Sequence, residues 1–244
     1  MGFPGVTVFA PLRLARQRLT CEETISPAQL GRTLCTEVAE QVPYWVAVLT
    51  PAERPLLAER PTTFEQTSVT FASPNGVHQP RVLLLAALGS AVCTWQRNNC
   101  RGSSAGVLVD LDLEGAAAVH PVRLPAVHAD ALTAADHGQH LLADVSSRLA
   151  SVPNGGRDYA LTRNYPALAS RAGAQIIVRD DVLAQPSRDH AIDIAITTAG
   201  PGTAQAHVTW AADLRGMDEL IRLWSVAAHH LTTIASVATG SSAA

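Results

Sequence analysis

Apolar residues recur at helical spacing at Leu30, Leu34, Val38 and Val42, after a Ser26-Pro27 pair that suits a helix start. Tyr44 to Leu49 extends or repeats this helix after Pro43. The stretch 51–80 is rich in Pro, Thr and Ser, holds one β-like run from Gln66 to Phe71, and reads as a connection. Val82 to Trp95 is apolar on every side, as a core helix is. Gly106 to Leu113 alternates and is β-branched, so it reads as a strand, with His120 to Leu124 as a second one. Ala129 to Val152 is expected as a long helix closed by the turn Pro153-Asn154-Gly155-Gly156, with a short helix near Tyr159 to Arg171. Strands follow at Ala174 to Val178, His190 to Thr198 and Ala204 to Trp210, the last two as a hairpin across Ala199-Gly200-Pro201-Gly202. Leu220, Leu223, Ala227 and Leu231 mark one face of a last helix from Gly216 to Ser236. Strands interleaved with long helices predict an α/β fold, helices packed on a mixed β-sheet.

Composition narrows the function classes. All 18 basic residues are Arg and none is Lys, which removes the Schiff-base amine and the P-loop lysine together. A net charge of −3 speaks against nucleic acid as a partner, because phosphate-backbone binding needs clustered excess positive charge. No apolar run reaches the roughly 18 residues of a membrane span, so no membrane is expected, and four scattered cysteines (Cys21, Cys35, Cys93, Cys100) suit a reduced, cytoplasmic setting. His137, His140 and Asp144 share a helix face at metal-like spacing, yet they lack further ligands, so no metal is expected. Asp110, Asp112 and Glu114 alternate along one side of a strand, where Asp110 and Asp112 read as a solvated edge.

Several segments resemble, in order, the C-terminal lobe of the non-ribosomal peptide synthetase condensation superfamily, nearest its epimerisation branch. Tyr44-Trp45 to Leu49 is similar to that family's Y-W-x-x-x-L helix, and Arg81 to Leu88 to its D-x-L-L-x-A-L helix. Val109 to Gly115 resembles the strand entering E-G-H-G-R-E, His120 to Leu124 the Y-P-V-R-L segment, and Pro153 to Ala160 the P-D-x-G-x-G-Y-G turn. The resemblance implies a single lobe of a chloramphenicol acetyltransferase-like fold. In domain terms, residues 1–50 would end the N-terminal lobe, 51–80 link, 81–236 form the C-terminal lobe, and 237–244 trail as a disordered tail.

The resemblance further implies that Glu114 holds the place of an acid/base group, and that Gly155, Gly156 and Tyr159 lie in a substrate-binding turn. It implies Cα epimerisation or amide formation in peptide secondary-metabolite biosynthesis. The substrate would be an aminoacyl or peptidyl thioester on the phosphopantetheine arm of a carrier protein, with no cofactor bound directly. The H-H-x-x-x-D-G motif is absent: His229-His230 is followed by Leu-Thr-Thr-Ile-Ala. The segment after Glu114 is eroded to Ala116-Ala117-Ala118. The expectation is therefore a truncated lobe with little activity alone, partnered by a peptidyl carrier protein, the missing N-terminal lobe or a second copy of itself. The alternative is a docking module without chemistry.

Overall fold

The computed structural model describes residues 36–241 apart from 58, 73–79, 100–104, 114–117, 181–184 and 201. The predicted first helix, from Ser26, lies outside the described residues as far as Cys35. Two short helices open the described chain, α1 (Thr36–Glu40) and α2 (Val42–Val48). The order then runs β1 (Phe64–Ala72), α3 (Pro80–Asn98), β2 (Val107–Asp112), β3 (His120–Leu124) and α4 (Ala135–Ala150). It closes with α5 (Tyr159–Thr162), α6 (Pro166–Ala169), β4 (Ile176–Arg179), β5 (Ile192–Gly200), β6 (Thr203–Ala211) and α7 (Met217–Ser241).

The six strands form one mixed sheet in the order β1-β6-β5-β4-β2-β3, with β4 parallel to both β2 and β5 and the other pairings antiparallel. The Phe64–Ala72 strand, within the stretch read as a connection, pairs with β6 along all nine residues. Strand periodicity gives this sheet two chemically different faces. Val107, Val109, Ile176, Val178, Ile192, Ile194, Ala206 and Val208 are buried on one face. The other carries, in register across five strands, Asp110, Ile177, Asp193, Thr209 and Gln66, then Asp112, Arg179, Ala195, His207 and Ser68.

Helix α3 covers the apolar face and is itself covered. Residues Val82 through Gln96 are all buried, as expected of a helix apolar all round. A Cβ at Gly89 would come within 2.9 Å of Leu124 Cβ, so glycine lets this helix settle against β3. On its outer side α7 closes the layer: Trp224 donates its indole N–H to the Leu84 carbonyl (3.1 Å) and packs on Phe71. Trp45, Leu49 and Leu56 belong to the same continuous core.

Two predicted helices are divided. In place of one helix over 129–152, a 3₁₀ turn spans Ala129–Thr133, its entry anchored by Thr94 Oγ1 of α3, which accepts the Ala129 N–H (2.8 Å), and α4 starts at Ala135 after the extended Ala134 (ψ 123°). The 159–171 helix splits at Tyr165, which is extended (ψ 139°) because Pro166 follows it.

Candidate functional site

The polar sheet face gathers the titratable groups. Asp110 is a correction to the sequence reading: its strand is not an edge, since β3 pairs on one side and β4 on the other, and the residue is 3% exposed. A carboxylate so placed needs a partner to offset its lost hydration. His190, 1% exposed, supplies it by donating from Nε2 to Asp110 Oδ2 (2.9 Å). The other imidazole nitrogen, Nδ1, lies 2.7 Å from Ser187 Oγ.

Ser187 is held a second time, by its backbone. Its N–H donates to Asp193 Oδ2 (2.6 Å), while Asp193 Oδ1 accepts Arg179 Nε (2.7 Å), and both of those side chains are buried. Five residues from β2, β4, β5 and the 185–190 loop thus form one hydrogen-bonded network.

His120 closes β2–β3 at the sheet end. Its Nδ1 donates to the Ala118 carbonyl (2.9 Å), which fixes the tautomer and leaves Nε2 as the lone-pair nitrogen. Burial pushes its pKa below the ordinary histidine value; the Ala118 hydrogen bond and the Asp110 charge oppose that shift without cancelling it.

Gly156 lies against this ring. Its φ is +81°, and a Cβ there would sit 2.1 Å from His120 Nδ1, so both conformation and space require glycine. Gly155 also has positive φ (+59°), but a Cβ there would meet nothing within 4 Å. Asn154 turns left-handed too (φ 49°), and its Nδ2 donates to Asp158 Oδ2 (3.1 Å), which also accepts Gln41 Nε2 (3.4 Å). This turn feeds α5, whose Tyr159 is buried and tilted over Trp45 with ring centroids 4.7 Å apart. Burial raises the Tyr159 hydroxyl well above its usual range. The hydroxyl stays protonated.

Glu114, the family-implied acid/base group, lies outside the described residues; β2 ends two positions before it, at Asp112. Gly155, Gly156 and Tyr159 are brought together with His120 and Trp45. His137 and His140 are exposed on α4, and no group of three or more His, Cys, Asp or Glu able to hold a metal occurs among the described residues. Sequence reasoning missed His190 and His120. One signal was present: Asp110 interrupts the apolar run Val107-Leu108-Val109 in a strand, where an acid needs a buried partner.

A second buried pair fastens the 49–57 segment to the sheet. Glu53 Oε1 accepts the Leu108 N–H and lies 3.9 Å from Arg123 Nη1, while Arg123 donates to the carbonyls of Val48 (2.7 Å) and Pro51 (2.8 Å). Burial raises the Glu53 pKa, with the Leu108 hydrogen bond and the Arg123 charge pulling it back.

No family model and no curated protein matches the sequence. Solved structures do match. The epimerization domain from the third module of tyrocidine synthetase B aligns at a TM-score of 0.62 and 20% identity, over 85% of this chain and 57% of that one. The starter condensation domain of the rhizomide synthetase (a double mutant) aligns at 0.55 and 11%, over 86% of this chain and 54% of that one. The X-domain solved in complex with OxyB from teicoplanin biosynthesis aligns at 0.51 and 16%, over 82% and 53%. The chain therefore has the fold of a condensation-type lobe, helices on a six-stranded mixed sheet, and it spans somewhat more than half the length of these structures.

Proposed function

We propose that this chain is the C-terminal lobe of an epimerisation-type condensation domain, acting on an aminoacyl or peptidyl thioester carried on a phosphopantetheine arm. The observation that carries the reading is the TM-score of 0.62 with an epimerization domain over 85% of the chain, against 0.55 and 0.51 for a condensation domain and an X-domain. The strand that precedes Glu114 in the chain, β2, lies inside the sheet and ends at Asp112.

Moving a Cα proton needs a base on one side of the carbon, an acid on the other and stabilisation of the carbanion. Glu114 supplies one of these, and the H-H-x-x-x-D-G lobe would supply the opposing imidazole. These 244 residues alone therefore have little or no turnover. The docking alternative gains nothing from apolar surface: among the described residues the exposed large hydrophobics are Val226 and Val237, too few to form a bare face.

The test is deuterium wash-in at Cα of an aminoacyl thioester loaded on a carrier protein. The purified chain is expected to show none above the no-enzyme control. Exchange is expected when a lobe bearing H-H-x-x-x-D-G is added, and to be lost in E114Q. Robust exchange by the chain alone overturns the half-site reading, and exchange indifferent to E114Q overturns the assignment of Glu114.

A further inference from the structure

A cavity of about 340 Å³ opens on the helical side of the molecule and uses none of the groups above. Among the described residues it is lined by Leu56, Trp95, Asn99, Asp213, Leu214 and Arg215. Three of these form its buried floor: Trp95, Leu56 and Leu214 are 2%, 6% and 7% exposed. The floor is rigidly made. Trp95 belongs to the buried helix α3, the Leu56 N–H is held by Gln175 Oε1, and the Leu214 N–H donates to the Ala211 carbonyl (2.8 Å).

The rim is charged with both signs. Asp213 and Arg215 are exposed on either side of buried Leu214, and among the described residues neither forms an ion pair, with the other or with any other group. A carboxylate and a guanidinium two residues apart, both bordering one cavity and not paired to each other, leave room for a molecule between them. The floor is closed behind the Trp95 ring, whose indole N–H is sealed in beside Gly216, where a Cβ would come within 2.8 Å of it. Asn99 spends its Nδ2 on the Trp95 carbonyl (2.8 Å), which leaves its side-chain oxygen as an acceptor at the rim.

We propose that this cavity binds a small zwitterion, a free α-amino acid with an apolar side chain. Asp213 and the Asn99 oxygen take the ammonium group, Arg215 takes the carboxylate, and the side chain lies on Trp95, Leu56 and Leu214. The volume is at the small end for ligand sites, which suits a molecule of this size and excludes a carrier-bound peptide. Charge-assisted hydrogen bonds at both ends give selectivity for molecules that carry both charges. The inference stands apart from the lobe reading and shares none of its residues.

The test titrates the full chain with L-leucine and L-phenylalanine, following the indole N–H resonances of the four tryptophans, with W95F used to assign that of Trp95. Isothermal titration calorimetry reads the same affinities without any assignment. Saturable binding that moves the Trp95 resonance is expected. D213N, R215Q, N-acetyl-leucine and leucinamide are each expected to weaken it by about tenfold or more, the loss of one charge-assisted contact. Both substitutions lie on the exposed rim, so the fold tolerates them. No saturation by about 10 mM amino acid overturns the proposal. Equal affinity for leucine and N-acetyl-leucine, or binding unchanged by R215Q and D213N, overturns the zwitterion assignment.

Discussion

Replacing His190 by leucine tests the polar network at its most buried point. The imidazole fills a site only 1% exposed and is the hydrogen-bond donor to Asp110 Oδ2, so H190L leaves a carboxylate 3% exposed with its charge uncompensated. Removing one member of a buried pair costs about 3–5 kcal/mol, because the remaining charge keeps its desolvation penalty. Replacing both members with apolar groups removes that penalty along with the attraction, so D110L/H190L is expected to be less destabilised than H190L alone. The single D110L leaves the imidazole its contact with Ser187, and is expected to cost about 1–3 kcal/mol. Urea unfolding of the four proteins gives the coupling directly as a double-mutant cycle. An interaction energy of about 1 kcal/mol or more is expected. Additive losses, or an H190L cost below about 1 kcal/mol, would show that the two side chains are not an energetic unit, and the account of Asp110 would fail. Should H190L not fold at all, D110N supplies the milder version, expected to lose about 1–2 kcal/mol.

Two further outcomes follow from neighbouring geometry. G156A is expected to lose at least about 3 kcal/mol in urea unfolding, from positive φ and overlap with the His120 ring, while G155A, with positive φ but open space, loses only about 1–2 kcal/mol; equal costs would mean that His120 gives way. The Glu53 pKa is raised in the folded protein, so the fold holds a proton that the unfolded chain releases near pH 4.5, and this contribution to stability is lost as pH rises from there through the higher folded value. E53Q keeps the acceptor for Leu108 and is expected to flatten that decline; parallel pH profiles for the two proteins would remove Glu53 as its source.

The layers of the fold were legible because their signals are local. Helix α3 was readable from a 14-residue apolar run, and the β5–β6 hairpin from turn residues between two alternating strands. The split at Pro166 was equally local, and the sequence reading passed over it. The break before Ala135 left no such mark: Ala134 is extended (ψ 123°) although neither it nor its neighbours is a helix breaker. The site was less legible because its contacts are not local. Asp110 and His190 stand 80 residues apart, and only the parallel pairing of β2, β4 and β5 brings them together. Gly156 could be read as a turn residue, but its second requirement, the His120 ring packed where a Cβ would project, is tertiary.

The wrapping of α3 has a consequence for synthesis. Its outer wall, α7, spans Met217–Ser241 and so is translated after every other element of the described chain. Until Trp224 leaves the ribosome, the helix that is buried from Val82 through Gln96 in the finished fold lacks its outer cover, and strands β2 to β6, which it packs against, also follow it in the chain. The nascent lobe must wait through some 120 residues after α3 is made before that side is closed, and throughout the interval it is a natural client for holding chaperones.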